Sequence, residues 1–401
     1  MNVIDYLKYK GIKHAIFVIY RYKVETILEK IVAFFCKNKP LKKIIMIESH
    51  NDFDCNGGAF YEYLITHGYN NNYRIVWRLK NRLPRHYKLP SNVDYVYINK
   101  PGIKKAYYFA NAMYFLSDSG IPEKRRNGQI SIYATHGGVT FKNVKGLLVV
   151  DESVDYILCA SRNYAPIMCN NYSIPYPNKR MVYIGYPSND YLFVETESEI
   201  KKITEHSFDK VILWMPTFRK NIEGRKDTVG EAPYGIPLLD TDNGIRILDL
   251  ILSRSNCLLI VKYHPMQDLA STVAIENLRS IIFIDANKVK DLKIDIYRLM
   301  KDCDALISDY SSSAYSYLLL NRPIAFILSD LKEYKLGFTV DNYEEVLAGH
   351  KILTHDDFIK FISDVNTEND IYKEKREKLL KWLYEYQDGK CCERLVEFMK
   401  L

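Results

Sequence analysis

Several signatures are missing from this chain. No C-x-x-C pair and no regular spacing occurs among its eight cysteines, and the neighbours Cys391 and Cys392 cannot close an ordinary unstrained bridge. A reducing cytoplasm is the expected compartment. No G-x-G-x-x-G string follows a strand-like run and no Walker A string occurs, which disfavours a dinucleotide oxidoreductase or a P-loop enzyme. No wholly apolar run is longer than Ala15 to Tyr20, far short of the roughly 20 residues a bilayer-spanning helix needs. A compact apolar core followed by a small-residue cleavage site is also missing from residues 1–42, so a removable signal peptide is not expected. Internal repeats and low-complexity tracts are not evident.

What is present is a chain of 401 residues, long enough for two domains each with its own core. The 33 tyrosines suit sugar or headgroup surfaces and equally suit an AT-rich genome. The formal charge is +7, and its placement is informative: up to Lys43 the chain carries ten Lys and Arg against three acids, which accounts for the whole excess. A balanced remainder argues against a nucleic-acid-binding body and for one basic end meeting an anionic surface. Residues 1–42 hold two helix-like stretches, Ile12 to Tyr20 and Val24 to Phe35, with lysines around them. Such a segment can lie in a membrane interface or pack on its own domain.

From Lys42 onward strand-like and helix-like segments alternate. Strands are expected at 41–47, 73–79, 93–98, 112–117, 130–135 and 154–160, and a second series at 210–215, 257–263, 280–285, 305–308 and 323–328. Helices are expected near 59–66, 103–110 and 163–170, and residues 218–244 read as a long loop. This alternation predicts two doubly wound, mostly parallel α/β domains facing a cleft. The expected division is a basic segment 1–42, a first Rossmann-like domain 43–190, a second 191–370 and a helical segment 371–401.

The candidate site residues cluster at strand ends. His136 closes the run ending at Thr135 and precedes Gly137 and Gly138; it is either a structural loop histidine or a base for an attacking hydroxyl. His264 follows Lys262 at another strand end and precedes Pro265, which holds it extended. Ser311, Ser312 and Ser313 stand where a helix begins, suited to capping it or to leaving its N–H groups for a phosphate. Asp52-Phe53-Asp54 and Asp240-Thr241-Asp242 have the spacing of a metal-holding D-x-D, but neither has a third ligand nearby, and no catalytic metal is expected.

Taken together, Ser308-Asp309-Tyr310-Ser311-Ser312, His136-Gly137, Lys262-Tyr263-His264-Pro265, Met215-Pro216-Thr217-Phe218-Arg219, Gly185-Tyr186-Pro187-Ser188-Asn189-Asp190 and the Asn56 to Leu64 segment resemble, in order, the motifs of the CDP-glycerol glycerophosphotransferases of teichoic-acid and capsule synthesis. The resemblance covers nearly all of the chain beyond Lys42. Departures occur at Thr135 and Gly138, where that family usually has tryptophan and threonine, and at Ser188, where it has arginine. The resemblance implies the glycosyltransferase-B fold and His136 as presumed catalytic base. It implies a donor-diphosphate site at His264, Lys262, Thr217, Arg219, Asp309, Ser311 and Ser312, with Gly137, Gly138 and Asn56 on the acceptor side. It further implies a CDP-glycerol or CDP-ribitol donor, a lipid-linked glycan or polyolphosphate acceptor, release of CMP, no cofactor, no nucleic acid, and a place on the inner face of the cell membrane. The serine motif is expected to open the last large helix of the donor domain. An ordinary glycosyltransferase of the same fold and a non-catalytic membrane-bound relative are the alternatives.

Overall fold

A computed structural model describes residues 11–84, 87–120, 124–146, 150–217, 236–239, 241–265 and 276–401. The first element among the described residues is a 25-residue helix, α1 (Ile12–Cys36). The two expected helical stretches are therefore one, because the Arg21-Tyr22-Lys23 junction contains no residue that breaks a helix. The first domain then runs β1 (Lys42–Glu48), α2 (Cys55–Thr66), β2 (Arg74–Leu79), β3 (Val93–Tyr97), α3 (Ile103–Asn111), β4 (Ala112–Ser117), β5 (Ile130–Tyr133), β6 (Tyr156–Cys159), α4 (Ala165–Asn171) and β7 (Met181–Tyr183). The second contains β8 (Lys210–Trp214), α5 (Asp242–Arg254), β9 (Cys257–Lys262), β10 (Ile281–Ile284), α6 (Ala286–Asp291), α7 (Ile296–Asp302), β11 (Ala305–Ser308), α8 (Ser313–Tyr317), β12 (Ile324–Ile327), β13 (His350–Ile352) and α9 (His355–Asn366). Two last helices, α10 (Lys373–Leu383) and α11 (Cys391–Met399), complete the chain.

Both sheets are parallel throughout, ordered β3-β2-β1-β4-β5-β6-β7 and β10-β9-β8-β11-β12-β13. Parallel strands are covered by helices on both faces, so their sequences read as near-continuous apolar runs; Ile44 to Ile47 and Leu258 to Val261 are buried throughout. The edge strands β7 and β13 have three residues each, too few to show a period, and the sequence reading missed them. In each sheet the order reverses at its middle, between β1 and β4 and between β8 and β11. Such reversals open a crevice beyond the carboxyl ends of the strands.

The serine motif opens a smaller element than expected. The helix α8 has five residues and continues as a three-residue 3₁₀ turn, Leu318–Leu320, ended by Asn321 in a left-handed conformation. At the other end of the chain, α11 packs on the first domain. Tyr114 Oη donates to the carbonyl of Met399 at 2.5 Å, and the rings of Tyr156 and Phe398 meet edge to face at 4.8 Å. Lys390 stands at the N-cap of α11 and its side chain makes no capping bond. The carboxylate of Asp190 does this from far along the chain, accepting the N–H groups of Cys391 at 2.9 Å and Cys392 at 2.7 Å. Charge-assisted bonds to otherwise orphaned N–H groups are the stronger kind. Replacing Asp190 with alanine is expected to destabilise the fold by about 2 kcal/mol. Urea denaturation measures it; an unchanged midpoint would show that solvent caps α11 equally well.

Candidate active site

The first wall of the site is built around His136, just beyond β5. Thr135 (φ +59°), Gly137 (φ +79°) and Gly138 (φ +69°) put the backbone in a tight turn that presents the imidazole to the crevice. Asn56 holds this turn from behind. Its amide donates to the carbonyls of Ala134 (3.0 Å) and Thr135 (2.9 Å), while its oxygen accepts from the N–H (3.0 Å) and hydroxyl (2.8 Å) of Ser188. Asn56 is wholly buried, so the structure places it as a support of the His136 turn and not on the open face of the crevice. The same bonds explain the Gly185–Asp190 segment: Ser188 braces α2 and the turn, while Asp190 caps α11.

His136 stacks on His50, which stands just past β1, with ring centroids 4.1 Å apart and planes 29° apart. Its Nδ1 faces Cys55 Sγ at 3.9 Å. The ring keeps contact with solvent at the crevice mouth, yet the protein around it lowers its pKa to about 4, first by desolvation and then by the His50 imidazole; Asp54 opposes the shift. The His50 imidazole is also lowered, by burial and by the Lys80 ammonium. Both rings are neutral at pH 7, the form in which a histidine can accept a proton. Beneath them Asp118, beyond β4, accepts the N–H of Gly57 at 2.9 Å, and burial pushes its carboxyl up to about 8.

The second wall lies beyond β8, β9 and β11. Thr217 donates its N–H to Asp309 Oδ2 (2.8 Å) and its hydroxyl to Asp309 Oδ1 (2.5 Å), tying together the two strand ends that flank the reversal. Both residues are buried. Lys262, the last residue of β9, is lowered to about 8 by desolvation. Burial lowers His264 to about 3, helped by the Lys262 and Lys142 ammonium groups and opposed by Asp309. The Ser312 hydroxyl makes no capping bond to α8; Ser311 Oγ meets the N–H of Ser313 only at 3.4 Å. Capping therefore does not consume Ser312.

The two walls touch. A Cβ placed on Gly137 would lie 2.9 Å from Ser312 Oγ, and one on Gly138 would lie 3.3 Å from the Tyr186 ring and 3.7 Å from Ser316 Oγ. Glycine is favoured at 137 by its positive φ, and a side chain there would also make the Ser312 hydroxyl turn aside. His136, Gly137, Gly138, Thr217, Lys262, His264, Asp309, Ser311 and Ser312 thus line one crevice. Arg219 lies outside the described residues. In the first D-x-D string, Asp52 accepts the backbone N–H groups of Lys80 and Asn81, each at 2.8 Å, and Asp54 accepts that of Asn51 at 3.0 Å. These carboxylates shape loops. Asp240 is outside the described residues, and Asp242 is already in α5, whose cap is Thr241. Among the described residues no group of three or more His, Cys, Asp or Glu side chains could hold a metal ion.

Two crevice residues escaped the sequence reading. His50 stands at a strand's carboxyl end, the signal that singled out His136. Lys142 lies in the loop after His136 and reaches across to Thr217, with its Nζ 3.4 Å from Oγ1. No linear pattern shows that crossing.

Comparison with known proteins bears on the fold and the family. A poly(glycerol phosphate) polymerase of teichoic acid from Bacillus spizizenii is 25% identical over 375 residues, 85% of this chain and 87% of that protein. A teichoic acid glycerol-phosphate transferase from Staphylococcus aureus is 24% identical over 390 residues, 89% of this chain and 93% of that protein. Longer relatives are matched in part: a poly(ribitol-phosphate) polymerase of B. spizizenii is matched over 36% of its length at 28% identity. A solved structure of the wall teichoic acid polymerase TagF has the same fold, with a TM-score of 0.73 at 22% identity over 100% of this chain and 98% of that one. The match to the family described as CDP-glycerol:poly(glycerophosphate) glycerophosphotransferase runs over residues 31–401, and the chain belongs to that family.

Proposed function

We propose that this protein transfers glycerol phosphate or ribitol phosphate from the CDP-linked polyol to a hydroxyl of a lipid-linked glycan or polyolphosphate, at the cytoplasmic face of the membrane, within a glycosyltransferase-B architecture. The observation that carries the reading is the apposition of Gly137 and Ser312, which sets a neutral imidazole on one wall against Lys262 and His264 on the other. In this mechanism the acceptor oxygen attacks the distal phosphorus of the donor as His136 takes its proton. The bond from that phosphorus to the bridging oxygen breaks, and CMP leaves with the electron pair. The charge on the leaving phosphate is met by Lys262 and by an N–H of His264, with the Ser312 hydroxyl beside them. The Lys262 ammonium and these neutral donors supply the electrostatic stabilisation, so turnover is expected without a divalent metal.

The membrane reading draws on α1. Its inward side carries ion pairs to the domain: Glu25 with Lys105 at 2.6 Å, and Glu29 with Arg125 at 2.7 Å, mostly buried. Its outward side exposes Ile16, Phe17, Ile27, Ile31, Phe34 and Phe35. The helix both packs on its domain and leaves an apolar, lysine-flanked face suited to an anionic lipid surface.

Three outcomes are expected. CMP should accumulate from CDP-glycerol or CDP-ribitol in step with acceptor consumption, in excess EDTA, and His136→Ala should lower kcat by about a hundredfold or more with donor affinity little changed. Release of a nucleoside diphosphate from a nucleotide sugar, with no CMP from either CDP-polyol, would move the assignment to glycosyl transfer. Because desolvation keeps His136 neutral well below pH 6.5, kcat/KM should stay nearly level from pH 7 to 5.5 and fall only toward pH 4. An acid limb centred at 6.5 would contradict this. Finally, replacing Phe17, Ile31, Phe34 and Phe35 with serine spares both ion pairs and should abolish binding to phosphatidylglycerol vesicles. Undiminished sedimentation with vesicles would exclude this face.

A further inference from the structure

The loop between β5 and β6 leaves the first domain and joins the second by main-chain bonds. The N–H of Asn143 donates to the carbonyl of Gly337 at 3.0 Å, that of Thr339 to the carbonyl of Phe141 at 2.9 Å, and Lys142 pairs with Phe338 as an isolated antiparallel bridge. Residue 142 is thus held over the second wall by backbone, whatever its side chain. That side chain turns into the crevice: Nζ stands 3.4 Å from Thr217 Oγ1, at the end of β8, beside the reversal of the second sheet.

Lys142 has a defined electrostatic setting. Its charge acts on His264 together with that of Lys262, while Asp309 is the acid that opposes them and is itself bonded twice to Thr217. Among the described residues, Lys262, Lys142 and Asp309 all act on the His264 imidazole there. Ammonium groups are the side chains suited to holding phosphate oxygens. A diphosphate supplies two negative centres. Lys262 and His264 belong to the second domain, whereas Lys142 arrives from the first with His136. The phosphorus nearest the first domain is the one under attack.

We propose that Lys142 is a catalytic residue that binds the transferring phosphoryl group from across the crevice, completing a donor site that the second domain holds only in part. This rests on the donor reading above. Lys142 exchanges no proton; its ammonium donates hydrogen bonds to non-bridging oxygens of the distal phosphate. Those oxygens carry the charge spread over the phosphoryl group as the bond to the acceptor oxygen forms and the bond to CMP breaks. The nucleotide's own phosphate stays with Lys262 and His264. Loss of Lys142 should therefore affect CDP-glycerol and leave CMP alone.

The experiment compares Lys142→Met and Lys142→Arg with the wild type. Readouts are CMP release, calorimetric affinity for CDP-glycerol and for CMP, and thermal unfolding. The Met variant keeps the main-chain bridge and is expected to lose about a hundredfold in kcat and about tenfold in CDP-glycerol affinity, with CMP affinity within about threefold. The Arg variant should recover most of both losses. A Met variant within about threefold of wild type in kcat and in CDP-glycerol affinity overturns the proposal. So do equal losses in Met and Arg variants with a lowered melting temperature, which make Lys142 a tether between domains. Equal weakening toward CMP and CDP-glycerol places Lys142 on the nucleotide and also overturns it. A wild type that neither binds nor turns over CDP-glycerol or CDP-ribitol removes the donor reading itself, a result separable from a silent Lys142 in an active enzyme.

Discussion

The contact between Gly137 and Ser312 is the constraint on which the site depends. Each residue stands in a turn at the end of a parallel strand, and each strand end exists because its sheet reverses order at its centre. A side chain at 137 would make the Ser312 hydroxyl turn aside and would strain a backbone at φ +79°, disturbing the turn that carries the imidazole. Asn56 transmits the same constraint to the chain behind, since its amide clamps the turn to α2 and to the Pro187–Leu192 helix. From that helix Asp190 reaches the start of α11. A continuous set of short-range bonds thus runs from the crevice to the last element of the chain.

Charge is distributed unevenly between the two walls, and the division follows burial. On the first wall the His136 and His50 rings are kept neutral by desolvation, with the His50 imidazole adding to the shift at His136 and the Lys80 ammonium to that at His50, and the buried Asp118 carboxyl is pushed up. On the second wall burial lowers the Lys262 ammonium only to about 8, so it stays charged at pH 7. Neutral acceptors facing cations is what attack on a phosphorus requires: the base must be unprotonated while anionic oxygens are held. In the family to which the chain belongs, the donor is a CDP-polyol, whose diphosphate matches that polarity.

Most of the architecture was legible in the sequence because parallel strands buried on both faces leave apolar runs too regular to miss, and turns at their ends leave glycine, proline and serine. His136 and His264 could be singled out for the same reason, since each follows such a run, and Lys262, Thr217 and Asp309 because the strings around them resemble the motifs of a known family. Besides His50 and Lys142, three features were not legible. The edge strands β7 and β13 are too short to have a period. The helix α8 looked longer because Leu318 to Leu320 continue its apolar pattern, although the hydrogen bonding there has tightened to a 3₁₀ turn. Asn56 looked like a crevice residue because its neighbours in sequence open α2 at a strand end, but the number of its hydrogen bonds to other segments shows a support.

The sequence by itself determined the two parallel sheets, the strand-end positions of the candidate groups and the single basic end, since each depends on local order: apolar period, turn chemistry and charge count. Only the tertiary structure decided which strand ends face one another, that His50 stacks on His136, that Lys142 crosses to Thr217, and that α1 turns its acids inward and its apolar residues out. Those depend on contacts between residues far apart in the chain. No period or spacing along the sequence encodes such a contact, because the free energy that selects it is shared among both partners and everything packed around them.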